Sequence, residues 1–153
     1  MTTNLAMPAR LHLGAAITTA FTPRGQAGGS VALETRFLAV DGGRIAYDDT
    51  GGNGPLILAI PGMGDLRSEY RLLRPALEGA GYRVVTMDVR GFGATSARWD
   101  DYSAHAVGRD ALALIEHLGA PSAIILGSSF AAGSALGSDS FPLLFCGDLA
   151  WFS

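Results

Sequence analysis

The chain contains no lysine; all 11 of its basic residues are arginine. That absence removes a phosphate loop of the Walker type, a lysine Schiff base and a pyridoxal-phosphate site, each of which needs the amine. Cysteine is nearly absent as well. The single Cys146 excludes a disulfide framework and a multi-cysteine zinc site, and it makes a reducing cytoplasm the default compartment. No apolar run is long enough to cross a hydrocarbon core of ~30 Å, so no membrane span is expected. Arg10 ahead of residues 11–17 loosely imitates a signal peptide, but His12, Thr18 and Thr19 interrupt the apolar stretch and no small-residue cleavage site follows. The net charge of −3 argues against a nucleic-acid partner, whose phosphates require a basic face.

What is present suits one globular domain. Of 153 residues, 48% are hydrophobic, which supplies a core. Glycine numbers 21, about twice its average usage of ~7%, as tight strand–helix turns would require. Residues 1–30 read as a flexible leader closing on a Gly/Ser-rich stretch, and residues 31–153 as an α/β domain. Residues 35–40 and 44–49 form a hairpin signal around Asp41-Gly42-Gly43. Residues 55–60 are a continuous apolar run, as expected of a strand covered on both faces, residues 82–87 read as the next strand, and residues 122–126 as another buried strand. Between them, residues 68–80 and a stretch opening at Asp101 or Ser103 and running to Leu118 carry helical spacing, with Ser68 as a cap of the first. The order implies a mostly parallel sheet with flanking helices.

In such a sheet, ligands bind beyond the carboxyl ends of the strands, and three loops occupy that position. Gly127-Ser128-Ser129-Phe130-Ala131 follows a buried strand and precedes a small-residue helix. It fits the G-x-S-x-G turn that holds a serine nucleophile, with Ala131 in place of the last glycine. Ser129 is the candidate nucleophile; the plain alternative is a helix cap. Ile60-Pro61-Gly62-Met63-Gly64 is the second loop. A tetrahedral oxyanion needs two preorganised donors, and the backbone amides of Met63 and Phe130 are the candidates; the alternative is a turn that uses glycine for its dihedrals alone. The third loop, residues 88–96, is charged and glycine-rich, and Asp88 and Arg90 read as structural anchors.

On these residues the chain resembles the N-terminal part of an α/β-hydrolase fold protein. Pro61-Gly62-Met63-Gly64, then Asp88-Val89-Arg90-Gly91-Phe92-Gly93-Ala94-Thr95-Ser96, then Gly127-Ser128-Ser129-Phe130-Ala131 carry the resemblance. It implies acyl-transfer hydrolysis by the serine branch, on a small-molecule acyl substrate, with Ser129 as nucleophile, Met63 and Phe130 as oxyanion amides, and no cofactor or metal. A serine at the elbow speaks against the family's aspartate-nucleophile branches, haloalkane dehalogenases and epoxide hydrolases. Pro61-Gly62 stands where the family often has His-Gly.

The family's order is serine, acid, histidine, and no histidine follows Ser129. His12, His105 and His117 all precede it, and Asp139 and Asp148 do not end an obvious strand. The expectation is therefore a truncated or frame-shifted hydrolase domain. Its partners would be a complementing C-terminal half or, through the apolar residues 141–153, another copy. Two other readings stay open. One is an inert binding module of the same fold. The other is a dinucleotide-binding oxidoreductase, in which Gly62-Met63-Gly64 imitates the phosphate turn and Asp88 binds ribose; Arg67 stands where its third glycine should be.

Overall fold

The computed structural model describes residues 33–127. Residues 1–32, which include the expected leader, and residues 128–153, which include the candidate nucleophile Ser129 and the candidate oxyanion residue Phe130, lie outside the described residues. Five strands form one sheet in the order β1-β2-β4-β3-β5. They are β1 (Arg36–Val40), β2 (Gly43–Asp49), β3 (Leu56–Ile60), β4 (Arg83–Met87) and β5 (Ala123–Gly127). β1 and β2 pair as a hairpin through Val40 and Gly43, so Asp41-Gly42 is the turn. β2 runs antiparallel to β4, whereas β3 runs parallel to both β4 and β5. Among the described residues the sheet is thus mixed, with the parallel part at β4-β3-β5.

The burial follows the sequence pattern. All five residues of β3 are buried, as its uninterrupted apolar run requires of a central parallel strand. Helices cover the two faces. α2 (Ala104–His117) lays Val107, Ala111, Leu114 and Ile115 against Leu58, Ile60, Val85 and Met87. These positions recur at three and four residues, the stripe of an amphipathic helix. Burying one such aliphatic side chain is worth about 1.5–3 kcal/mol. On the other face Leu77 of α1 (Arg74–Gly79) packs with Ile57 and Val84.

The first helical segment differs from the sequence expectation. Residues 68–80 do not form one helix capped by Ser68. A 3-10 helix covers Arg67–Arg71, and α1 begins only at Arg74. Neither start carries a side-chain cap. Pro75 gives the reason: it lies in the first turn of α1, where its missing N–H costs nothing, but within a continuous helix its ring would strike the carbonyl of Arg71. The second helix behaves as expected. The Ser103 side chain accepts a hydrogen bond from the Ala106 amide, and the Asp101 carboxylate accepts one from the Ser103 amide. Asp101 is held at a pKa of about 2 chiefly by its hydrogen bonding to Ser103, with a contribution from Arg109.

Candidate active site at the carboxyl ends of the parallel strands

Register decides what meets at the top of the sheet. Ile60, the last residue of β3, pairs with Gly127, the last of β5. The loop that begins at Pro61 therefore leaves the sheet beside Gly127, the carboxyl end of β5. Pro61 and Gly62 are buried, and the chain then turns outward, with the Asp65 amide donating to the Gly62 carbonyl at 3.1 Å and Gly64 at φ +94°. Met63 sits at the crest, 63% exposed. Among the described residues its amide has no acceptor. The Tyr70 hydroxyl fixes the root of this loop by donating to the Ile60 carbonyl at 2.8 Å.

Asp88, at the tip of β4, is wholly buried and ties this loop to the next. Its Oδ1 accepts the Arg67 amide at 2.8 Å, its Oδ2 accepts the Ala94 amide at 2.9 Å, and the Arg67 guanidinium closes an ion pair on Oδ2. Thr95 donates its hydroxyl to the Asp88 carbonyl and accepts the Ala46 amide, so β2 joins the same knot. A Cβ at Gly93 would stand 2.1 Å from Asp88 Oδ2; only glycine lets the loop close over this carboxylate. Arg67 also reaches Asp48 and Thr35. These contacts bear out the anchoring role expected of Asp88. They also dispose of the dinucleotide reading: a ribose-binding carboxylate must be open, and both oxygens of Asp88 are engaged in the interior.

Arg90 anchors the far side of the second loop. Its Nε and Nη2 grip the buried Asp110 carboxylate at 2.6 and 2.8 Å, and its Nη1 donates to the Asp101 carbonyl at 3.0 Å. Its plane lies over the Trp99 ring at 4.3 Å. Hydrogen bonding to Asp110 raises the Arg90 pKa further. An aspartate in the apolar stripe of α2 is thereby explained.

Between the two loops and α2 lies a cavity of about 380 Å³, lined mainly by Met63, Val89, Phe92, Tyr102 and Val107. His105 and His117 are exposed on α2, consistent with surface roles. Among the described residues no group of His, Cys, Asp and Glu is placed to hold a metal, and no helix is long and apolar enough to cross a membrane. Sequence reasoning missed Arg67 as the link between the loops. It stands 21 residues from Asp88, and no local spacing signals the pair.

Residues 55–136 match the family described as the alpha/beta hydrolase fold. The chain belongs to that family. Among curated relatives, a putative non-heme bromoperoxidase of Mycobacterium tuberculosis is 35% identical over 88 residues, covering 58% of this chain and 33% of its own length. Epoxide hydrolase 2 of Siraitia grosvenorii is 32% identical over 83 residues, 53% of this chain and 26% of that one. Among solved structures, an epoxide hydrolase from an endophytic Streptomyces superposes with a TM-score of 0.64 at 33% identity, covering 71% of this chain and 34% of that one. The Vigna radiata epoxide hydrolase VrEH1 gives 0.60 at 30% identity, with 67% and 33% covered. The chain thus spans about a quarter to a third of the length of these relatives.

Proposed function

We propose that this hydrolase-fold chain carries the nucleophile half of a serine hydrolase acting on an ester or related acyl bond. The pairing of Ile60 with Gly127 carries the reading. It sets Gly127, the residue from which the Gly127-Ser128-Ser129-Phe130-Ala131 sequence continues, beside Ile60, from which the Pro61–Gly64 loop continues, on adjacent parallel strands. In this reading Ser129 Oγ attacks the acyl carbonyl, and the negative charge that develops on its oxygen is taken by the amides of Met63 and Phe130. The Asp88–Arg67 knot supports this by holding the Met63 loop from below. The proton of Ser129 needs a base. No histidine follows Ser129 in these 153 residues, so the base and its acid partner are not assigned among them. The lone cysteine supports a cytoplasmic setting.

A fluorophosphonate probe read by intact mass tests the proposal. One adduct per folded chain, lost in Ser129→Ala, is expected. Without the base the labelling is slow, since oxyanion stabilisation and binding alone retain only about 10³–10⁴-fold acceleration over water. A folded chain that takes no adduct is instead an inert binding module of the same fold. A second reading, epoxide opening, is favoured by the names of the similar proteins; Ser129, where that branch has aspartate, opposes it. Turnover of styrene oxide without probe labelling would favour that second reading.

A further inference from the structure

We propose that the cavity between the Pro61–Gly64 loop, the 88–96 loop and α2 receives an uncharged, apolar group of bicyclic-aromatic size, the group that flanks the scissile carbonyl. The assignment of that carbonyl rests on the serine-hydrolase reading above; the cavity's chemistry does not.

The polar side chains on the cavity wall, and the amides of Gly91 and Phe92, are already engaged. Every nitrogen of the Arg90 guanidinium is held, by the Asp110 carboxylate and the Asp101 carbonyl, and its face is covered by Trp99. The Tyr102 hydroxyl donates to the Ala97 carbonyl at 2.9 Å and accepts the Trp99 amide at 3.0 Å. The amides of Gly91 and Phe92 donate to the carbonyls of Ser96 and Val89. A charged or strongly polar ligand group would lose its water here and find no side-chain partner in exchange. An apolar group loses nothing and gains contact with Val89, Phe92, Val107 and Met63. Methionine at the mouth, 63% exposed, has a flexible thioether that can adapt to the shape of what enters.

Size sets the scale of the group. A dry cavity of about 150 Å³ accommodates one benzene. The space here is about 380 Å³, which suits two fused rings or a comparable branched chain. Met63 links this space to chemistry, because it lines the cavity with its side chain and presents its amide at the loop crest.

The test is calorimetric titration of the full chain with 2-naphthol and with naphthalene-2-sulfonate, which share a ring system and differ in charge. The wild-type chain is expected to bind 2-naphthol at least tenfold more tightly than the sulfonate. Ala97→Trp, a substitution at an exposed cavity-lining position, is expected to weaken 2-naphthol at least tenfold, with circular dichroism checking its fold. Equal affinity for the two ligands, no binding of 2-naphthol, or a folded Ala97→Trp variant that binds it unchanged would each overturn the proposal. Binding that follows the expected pattern in a chain that takes no fluorophosphonate would leave the apolar site standing and remove the serine-hydrolase reading.

Discussion

Asp88→Asn is the sharpest perturbation the structure offers, because it changes charge and one acceptor while keeping volume. The wild-type carboxylate accepts from the Arg67 amide, the Ala94 amide and the Arg67 guanidinium, and it is wholly buried. An asparagine in the same place presents one NH2 group. If that group replaces Oδ1 it faces the Arg67 amide; if it replaces Oδ2 it faces both Ala94 and the guanidinium. Either way donor meets donor. The first arrangement is less costly and still forfeits one hydrogen bond to a charged acceptor, about 1.5–3 kcal/mol. Breaking a buried ion pair costs about 3–5 kcal/mol. Arg67 keeps Asp48, with a closest approach of 3.0 Å, and Thr35, so the lower end applies and a loss of about 3 kcal/mol is expected. Urea unfolding followed by circular dichroism measures it. With a slope of about 1.5 kcal/mol/M, the midpoint should fall by about 2 M at unchanged slope. Amide hydrogen exchange should rise at residues 62–67 more than in α2, because the lost bonds hold that loop. A midpoint shift under about 0.5 M, or exchange that rises uniformly, would refute the claim that Asp88 is the clamp between the two loops.

Gly93→Ala should be at least as damaging, by about 3 kcal/mol or more, since its Cβ meets Asp88 Oδ2 at 2.1 Å and its φ of +56° disfavours a side chain; the same urea assay checks it. Arg90→Lys keeps the charge but cannot grip both oxygens of Asp110 or span to the Asp101 carbonyl. A loss of about 2 kcal/mol is expected, and a loss near zero would mean that the fork geometry is irrelevant. Acid should act through Asp49. Burial pushes its pKa up, but hydrogen bonds from Arg83 and Gly51 and the charges of Arg83 and Arg36 outweigh this, so its folded pKa lies below the ordinary 3.8. Its stabilisation is therefore complete above about pH 4 and is lost as the pH falls through the lower folded value. Unfolding midpoints measured from pH 5 down to 2 should fall, and should fall less in Asp49→Asn.

Much of the fold is legible in one dimension. Alternating apolar runs and helical stripes give the strands and α2, and Asp41-Gly42 gives the hairpin turn, because these depend on side-chain period and local dihedrals. The split of residues 68–80 into a 3-10 helix and α1 was also written locally, in Pro75, but the apolar spacing of Tyr70, Leu73 and Leu77 obscured it. The candidate site divides along the same line. The glycines beside Met63 announce their loop, since a tight turn demands them. Tertiary structure alone decided that Ile60 meets Gly127, that Asp88 holds Arg67 across 21 residues, and that the polar groups of Arg90 and Tyr102 bond to Asp110, Asp101, Ala97 and Trp99. Sheet register and long-range ion pairs depend on which strand lies beside which. That choice is made by the packing of the whole core, and no window of neighbouring residues contains it.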